Sequence, residues 1–495
     1  MGVLKFRITP PGPHGLPDLR KAYVTGLDRT PERLSVDLRP GLMICQRESP
    51  ESGRLSVPWR VDGFGTPVLA TATLAERAEP YDLAVELARG ELNDVRNQAA
   101  DWVQMGLKAP PELEPLLAEA RRAFAKAATA RDAPAAAVAR AQESLHATLC
   151  AGRVLAVAYT KQVLARRQEG GARLPTLVGC GLQGAPKSAS WSTKLPEAIN
   201  SARVHCTWAD LEPAEGQFRW EVPDEQLSWC RKRRLSVSAG PLLEFRPAAL
   251  PDWLWLWEGD FESISGLVAD VIHQAVTRFK GKVACWHVVG RPASGEILGL
   301  GEDEQIRLTA KALQVAHQAD PQAQLVVDLD RPWAEWMGSS PFRLGPLHLA
   351  DSLARADLGL AGVGLEIAPG YTSPGGHMRN LFDFSRLLDL FALLNLPLHI
   401  NLVAPSSDAE DPRADKDVRV DLTQWPTAPN EATQREWAEE WFAMAVAKPF
   451  VKSVTWLQTG DAQPHLFPHG GLFRVDGLPK PAFSWLKSFR QNYLP

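Results

Sequence analysis

The run "VACWHVVGR", Val283 to Arg291, decides the fold. Its apolar side chains fall at both parities: Val283, Cys285 and Val289 on one face, Trp286 and Val288 on the other. A strand that is apolar on both faces is covered on both, which is the mark of a parallel sheet with helices packed against it. Working outward, the same kind of run recurs as "TLVGCGL" (176–182), "ARVHCTWADL" (202–211), "RLSVSAGPLLEF" (234–245), "LVVDLD" (325–330), "GVGLEI" (362–367), "LHINLV" (398–403) and "SVTWLQTGD" (453–461). Helical spacing fills most of the gaps between them. Ile306, Leu313 and Ala316 line one face, and Leu381, Phe384, Leu387, Leu388, Phe391 and Leu394 line another. Strands alternating with helices over about 320 residues predict an α/β fold, a (β/α)8 TIM barrel. An open doubly wound sheet competes. However, the glycines of "GCGLQGAPKSASW" (179–191) lack the downstream acidic residue of a dinucleotide turn.

The chain upstream reads differently. Residues 1–80 alternate in period two, as in "RLSVDL" (33–38) and "RLSVPWRV" (54–61), and predict a small antiparallel β domain. Residues 81–172 predict a helical segment. Leu92, Val95, Ala99 and Trp102 form one face, Pro110-Pro111 ends that helix, and two alanine-rich helices follow. "QEGGARLP" (168–175) reads as the passage into a barrel spanning 173–495.

Composition narrows the function. A net charge of −4 with no basic run argues against a nucleic-acid surface, which needs clustered cations to displace counterions. No stretch is long and apolar enough to span a bilayer, and the first residues carry no secretory core, so no membrane partner and a cytoplasmic location are expected. Six cysteines without a C-x-x-C pair read as reduced buried thiols. The two histidines of "HLFPH" (465–469) have no third ligand nearby, so neither a metal site nor a cofactor is expected. The 17 tryptophans against 5 tyrosines tilt the chain slightly toward sugar binding, because indole stacks on flat apolar faces. Oligomeric state is not legible.

In a barrel of this kind, chemistry sits at the C-terminal strand ends. There stand Trp208 and Asp210, Glu244, Trp286, His287 and Arg291, Asp328 and Asp330, Glu366, His399 and Asn401, then Trp456, Gln458 and Asp461. Of Asp328 and Asp330, one at most is expected to face inward. Glu366, Glu244, Asp330 and Asp461 are the candidate catalytic carboxylates. Trp208, Trp286, His287, Arg291 and Trp456 are the candidate substrate-binding set. Each of these carboxylates could equally be a surface or core ion-pair partner.

Several segments resemble the family-10 glycoside hydrolases, the xylanase barrels. They are "TWADLEPAEGQFRWEVPDEQLSWC" (207–230), "LPDWLW" (250–255), "WHVVGR" (286–291), "HQADPQAQLVVDLD" (317–330), "GVGLE" (362–366), "LPLHINLVAP" (396–405), "VTWLQTGD" (454–461) and "GLFRVDGLPKPAFSWL" (471–486). The resemblance covers roughly 175–490 and implies the barrel. It also implies that the family's acid/base Glu falls on Arg291, the preceding Asn on Gly290, and the nucleophile Glu on Asn401 or Leu402. The strand-two Lys falls on Thr207, the strand-three His on Pro241, the strand-six Gln on Glu366 and the His after it on Ala368. Trp208 and Trp456 keep the family's tryptophans. Hydrolysis of this type needs two carboxyl groups flanking the bond, and an arginine cannot supply the proton. Two functions follow as expectations. One is a xylanase-like hydrolase of a β-linked oligo- or polysaccharide with a non-standard carboxylate set, in which Arg291 could bind an anionic sugar. The other is a catalytically inactive carbohydrate-binding pseudoenzyme. A scaffold without a sugar ligand is the third reading.

Overall fold

The computed structural model describes every residue except 1, 11–14, 27–28, 131–132, 293, 296 and 373–374. Eight parallel strands close into a ring. They are strand one (Leu177–Gly181), two (Ser201–Val204), three (Ser236–Ala239 continuing at Leu243–Glu244), four (Cys285–Gly290), five (Gln324–Leu329), six (Leu360–Ile367), seven (Leu398–Leu402) and eight (Val451–Trp456). Strand eight pairs with strand one, Trp456 opposite Cys180, and strand three pairs with strand four, which shuts the barrel. The (β/α)8 reading holds and the open sheet does not.

One predicted run is split. "RLSVSAGPLLEF" breaks at Gly240 because the chain there passes hard against strand four. Gly240 has φ +113, and a Cβ on it would lie 2.1 Å from the His287 carbonyl oxygen. Past the break, Leu243 and Glu244 pair with Val289 and Gly290, which sets the Glu244 side chain beside the end of strand four.

The outer faces of the strands bury Val204, Val237, Trp286, Leu325, Leu365, Ile400 and Val454 among the helices. The helix Leu381–Ala392 turns Leu381, Phe384, Leu387, Leu388 and Phe391 inward, as its spacing predicts. The inner face is different. It carries Ser201, Arg203, His287, Asp328, Gly362, Gly364, His399, Asn401, Ser453 and Thr455, small or polar residues where branched aliphatics are usual. Gly364 makes room for this. A Cβ there would collide with Asp328 Oδ1.

Two four-stranded sheets precede the barrel. Gly2–Arg7, Ser35–Arg39 and Leu42–Arg47 pair antiparallel, and the short Tyr81–Asp82 joins that sheet in parallel. Tyr23–Thr25, Pro31–Glu32, Arg54–Pro58 and Val68–Ala70 form the second sheet, all antiparallel. The helices Leu83–Gln104, Leu113–Thr129 and Pro134–Arg167 follow. Leu92, Val95, Ala99 and Trp102 are buried against Leu117, Leu155 and the barrel's Phe382. Arg153 on the longest helix reaches Glu440 of the barrel at 2.6 Å.

Candidate active site

At the C-terminal ends of the strands lies a cavity of about 480 Å³. Glu244, Gly290, Arg291, Glu366, Asn401 and Gln458 come to it from strands three, four, six, seven and eight. Asp328 and Arg203 form its floor, and the loop after strand eight adds His465 and Phe467.

Arg291 sits at the centre. It is the first residue past strand four, with φ 58, a left-handed conformation that a non-glycine residue adopts rarely. That turn drives its guanidinium between two carboxylates: Nε lies 3.1 Å from Glu244 and Nη2 lies 2.5 Å from Glu366. Its Nη1 is buried without a partner. Burial works against the charge, but Glu366, Glu244 and Asp330 more than offset it, so the guanidinium holds its proton more firmly than an ordinary arginine.

The two carboxylates differ. Burial would raise Glu244, but Arg246 at 3.0 Å and Arg291 together hold it below the usual range, so it stays ionised. Burial pushes Glu366 up to about 7. Arg291 opposes the rise, while Asp330 and Glu244 add to it. Glu244 has two guanidinium partners and Glu366 has only Arg291, which it shares with Glu244, so Glu366 is left close to protonation at neutral pH. Arg246 continues outward to Asp415 at 3.3 Å.

A second network lies below. Arg203 donates to Asn401 Oδ1 at 2.7 Å, lies 3.0 Å from His287 Nε2, and bridges Asp328 at 3.4 Å. His287 Nδ1 lies 2.9 Å from both oxygens of Asp328, and Asn401 Nδ2 donates to Asp328 at 3.0 Å. Burial would raise Asp328, yet His287, Arg203 and Asn401 hold it well below the usual carboxylate range. His399 bonds Ser453 at 2.8 Å and is lowered to about 3, chiefly by burial, so its imidazole is neutral.

The candidate residues therefore divide. The structure brings Glu244, Glu366 and Arg291 together at the cavity. His287 lies in the lower network, outside the cavity wall. Asp330 is buried and paired with Arg331 at 3.0 Å, while Asp328 forms part of the cavity floor. Strand five ends at Leu329, so Asp330 has left the pleat. Asp461 is held by Lys480 at 2.5 Å and by the Gly471 amide at 2.8 Å, and it anchors the last loop rather than lining the cavity. Trp208, Trp286 and Trp456 are fully buried away from the cavity. Trp208 donates to Glu212 at 2.8 Å and Trp456 to the Gly470 carbonyl at 2.8 Å, while Trp286 packs on Phe279. Trp286 neighbours the inward His287, and successive strand residues face opposite ways, so the indole faces the helices. Both histidines of "HLFPH" meet Asp411, at 2.9 and 3.6 Å.

The sequence names no metal set, but the fold brings Cys285, His287 and His399 within 4.8 Å of one another. The Arg203 guanidinium on His287 Nε2 puts a positive charge where a cation would bind. That set is accordingly given no metal role. Reading by strand ends missed Arg203, Arg246, His205 and Phe467. Arg203 carries a signal in the sequence: an arginine inside an otherwise apolar strand must find a buried partner.

Parts of the chain are similar to known proteins. Residues 200–328 match the model of glycosyl hydrolase family 10. The resemblance read in the sequence is thus an independent match as well. Among curated proteins the chain is similar to "Endo-1,4-beta-xylanase C" of Paenibacillus barcinonensis, 27% identical over 143 residues. That match takes in 24% of this chain and 13% of that enzyme's length. Among solved structures it is similar to native xylanase 10B from Thermotoga maritima: 19% identity, 67% of this chain and 97% of that one covered, TM-score 0.48. It is also similar to xylanase 10B from Thermotoga petrophila RKU-1 in complex with xylobiose, at 18%, 66%, 96% and 0.48.

Proposed function

We propose that this barrel binds a xylan-type β-linked oligosaccharide at its mouth and does not cleave it. The observation that carries the reading is Arg291. For cleavage the glycosidic bond must lie between the two carboxyl groups, and the Arg291 guanidinium bonds both Glu244 and Glu366 from between them. The other two candidates are also neutralised, Asp330 by Arg331 and Asp461 by Lys480. In this reading Arg291 stands where the family-10 proton donor would, and Asn401 or Leu402 stands where the nucleophile would. Asn401 is locked to Arg203 and Asp328, and Leu402 is fully buried.

Sugar contacts would come from Gln458, His205, Arg413 and the Phe467 ring, all on the cavity wall. Arg413 on the cavity wall favours a glycan that bears a carboxylate, which a guanidinium binds through two parallel hydrogen bonds. The six cysteines are all unbonded, in keeping with a reducing, cytoplasmic setting. Among the described residues no helix is long and apolar enough to cross a membrane.

One observation favours the hydrolase reading. Glu366 is raised to about 7 while Glu244 is lowered, and such a split assigns an acid and a base. A panel of chromogenic β-glycosides, run on the wild type and on Glu366→Gln, separates the two. Binding without turnover in both proteins supports the proposal. Turnover that Glu366→Gln abolishes replaces it with the hydrolase.

A further inference from the structure

A second cavity, of about 140 Å³, lies between the N-terminal sheets and the barrel. Four arginines line it, namely Arg29, Arg54, Arg379 and Arg386, and Asp383 is the one carboxylate on its described wall. This imbalance is unusual in a buried setting, where charges are ordinarily matched one to one. The partners that exist do not remove it. Arg54 and Arg386 share a single carboxylate, Asp94, the latter at 2.6 Å. Arg379 is spent on the Tyr23 hydroxyl at 2.9 Å and on Glu335 at 3.6 Å. Arg29 makes no ion pair with any described carboxylate. Arg54 Nε and Arg379 Nε are buried with no acceptor at all. Glu91, close behind the wall, does not restore the balance. Burial, with Asp383 beside it, raises its carboxyl above the usual carboxylate range, and its Oε1 already accepts from the Ala70 amide. Burial lowers the Arg29 pKa and repulsion from Arg386 and Arg54 lowers it further, against attraction from Asp94, while the guanidinium stays charged. A bound anion would relieve that repulsion.

We infer that this cavity is a binding site for the phosphoryl group of a small molecule, held by Arg29, Arg54, Arg379 and Arg386. The cavity volume suits one compact oxyanion, and converging guanidinium groups suit its several oxygens. The ring face of Trp333 and the side chains of Leu390 and Phe391 offer an apolar shelf for the carbon skeleton attached to it. The site lies well apart from the barrel mouth and shares no lining residue with the mouth cavity. Tyr23 and Arg54 belong to the N-terminal sheets, whereas Arg379 and Arg386 belong to the barrel. The ligand therefore fastens one to the other, and binding raises the unfolding temperature by mass action.

The test is isothermal titration of the full chain with inorganic phosphate, and separately with malonate, in chloride buffer of constant ionic strength. One phosphate per chain is expected, with an unfolding temperature that rises with phosphate concentration. Arg29→Gln, at a partly exposed position, should keep the wild-type unfolding temperature in chloride and weaken phosphate at least 10-fold, and Arg29→Lys should restore part of the loss. The absence of stoichiometric phosphate binding overturns the assignment. So does an affinity indifferent to Arg29→Gln, and so does malonate binding as tightly as phosphate.

Discussion

Arg203 and Arg291 are both buried in the barrel, one on strand two and one just past strand four, and their surroundings differ in charge. Arg203 faces one carboxylate, Asp328, and two neutral groups, Asn401 and His287. Its network balances, and with Asp328 it forms the cavity floor. Arg291 faces two carboxylates, Glu244 and Glu366; Arg246 also neutralises Glu244, while Glu366 depends on Arg291 alone. The lower cluster is thus a fixed part of the barrel wall. The upper one has a proton to gain or lose at Glu366, raised to about 7, and it stands at the cavity wall.

The sharpest way to break this contrast is to remove each cation in turn. Arg203→Met should be the most damaging change, because it strands Asp328 in the barrel interior. Stripping one partner from a buried pair costs about 3–5 kcal/mol, read as a lower urea midpoint at pH 7. Arg291→Met should cost about 2–4 kcal/mol at pH 8 and much less at pH 5, where Glu366 takes up a proton. If the two variants lose the same stability at both pH values, the contrast is void.

The wild type should itself show the asymmetry. The Glu366 pKa is raised in the folded chain, to about 7, above its unfolded value. The folded state therefore binds the extra proton, and stability is greatest below the unfolded pKa of about 4.3. It falls as pH rises from about 4.3 to about 7, by about 3–4 kcal/mol in all, and levels off above that. Glu366→Gln should flatten that slope in a series of unfolding curves from pH 4.5 to 8. A slope that survives the substitution belongs to another group.

The smallest effects concern the tryptophans. Trp208→Phe and Trp456→Phe should change oligosaccharide affinity less than about twofold, since neither indole lines the cavity, whereas Phe467→Ala should weaken it by about 1 kcal/mol or more. Calorimetric titration decides this. A large loss in either tryptophan variant would restore the indole shelf expected from the family resemblance.

These outcomes also mark how far the sequence could be read. The eight strands were legible because burial on both faces leaves an unbroken apolar run, as in "VACWHVVG" and "LVVDL". The helix faces were legible for a similar reason, since Leu381, Phe384 and Leu388 fall on one stripe. The strand-end rule puts Glu244, Glu366 and Arg291 on one rim, where the structure brings them to one cavity. What the rule could not hold was their mutual arrangement. The left-handed turn at Arg291 and the break at Gly240 bring the three together, and neither has a periodic signature. The strand-end rule places the tryptophans at the mouth, although parity with His287 already turns Trp286 outward. Asp461 reads as a catalytic candidate because it follows a strand. Its partner Lys480 lies 19 residues on and meets it only in the folded loop.

The most direct test of the central claim, that Arg291 occupies the space a scissile bond would need, is to titrate the wild type with xylo-oligosaccharides in a calorimeter and then analyse the contents of the cell for products. The account predicts saturable heat and sugar recovered intact. Shortened oligosaccharides after the titration would contradict it.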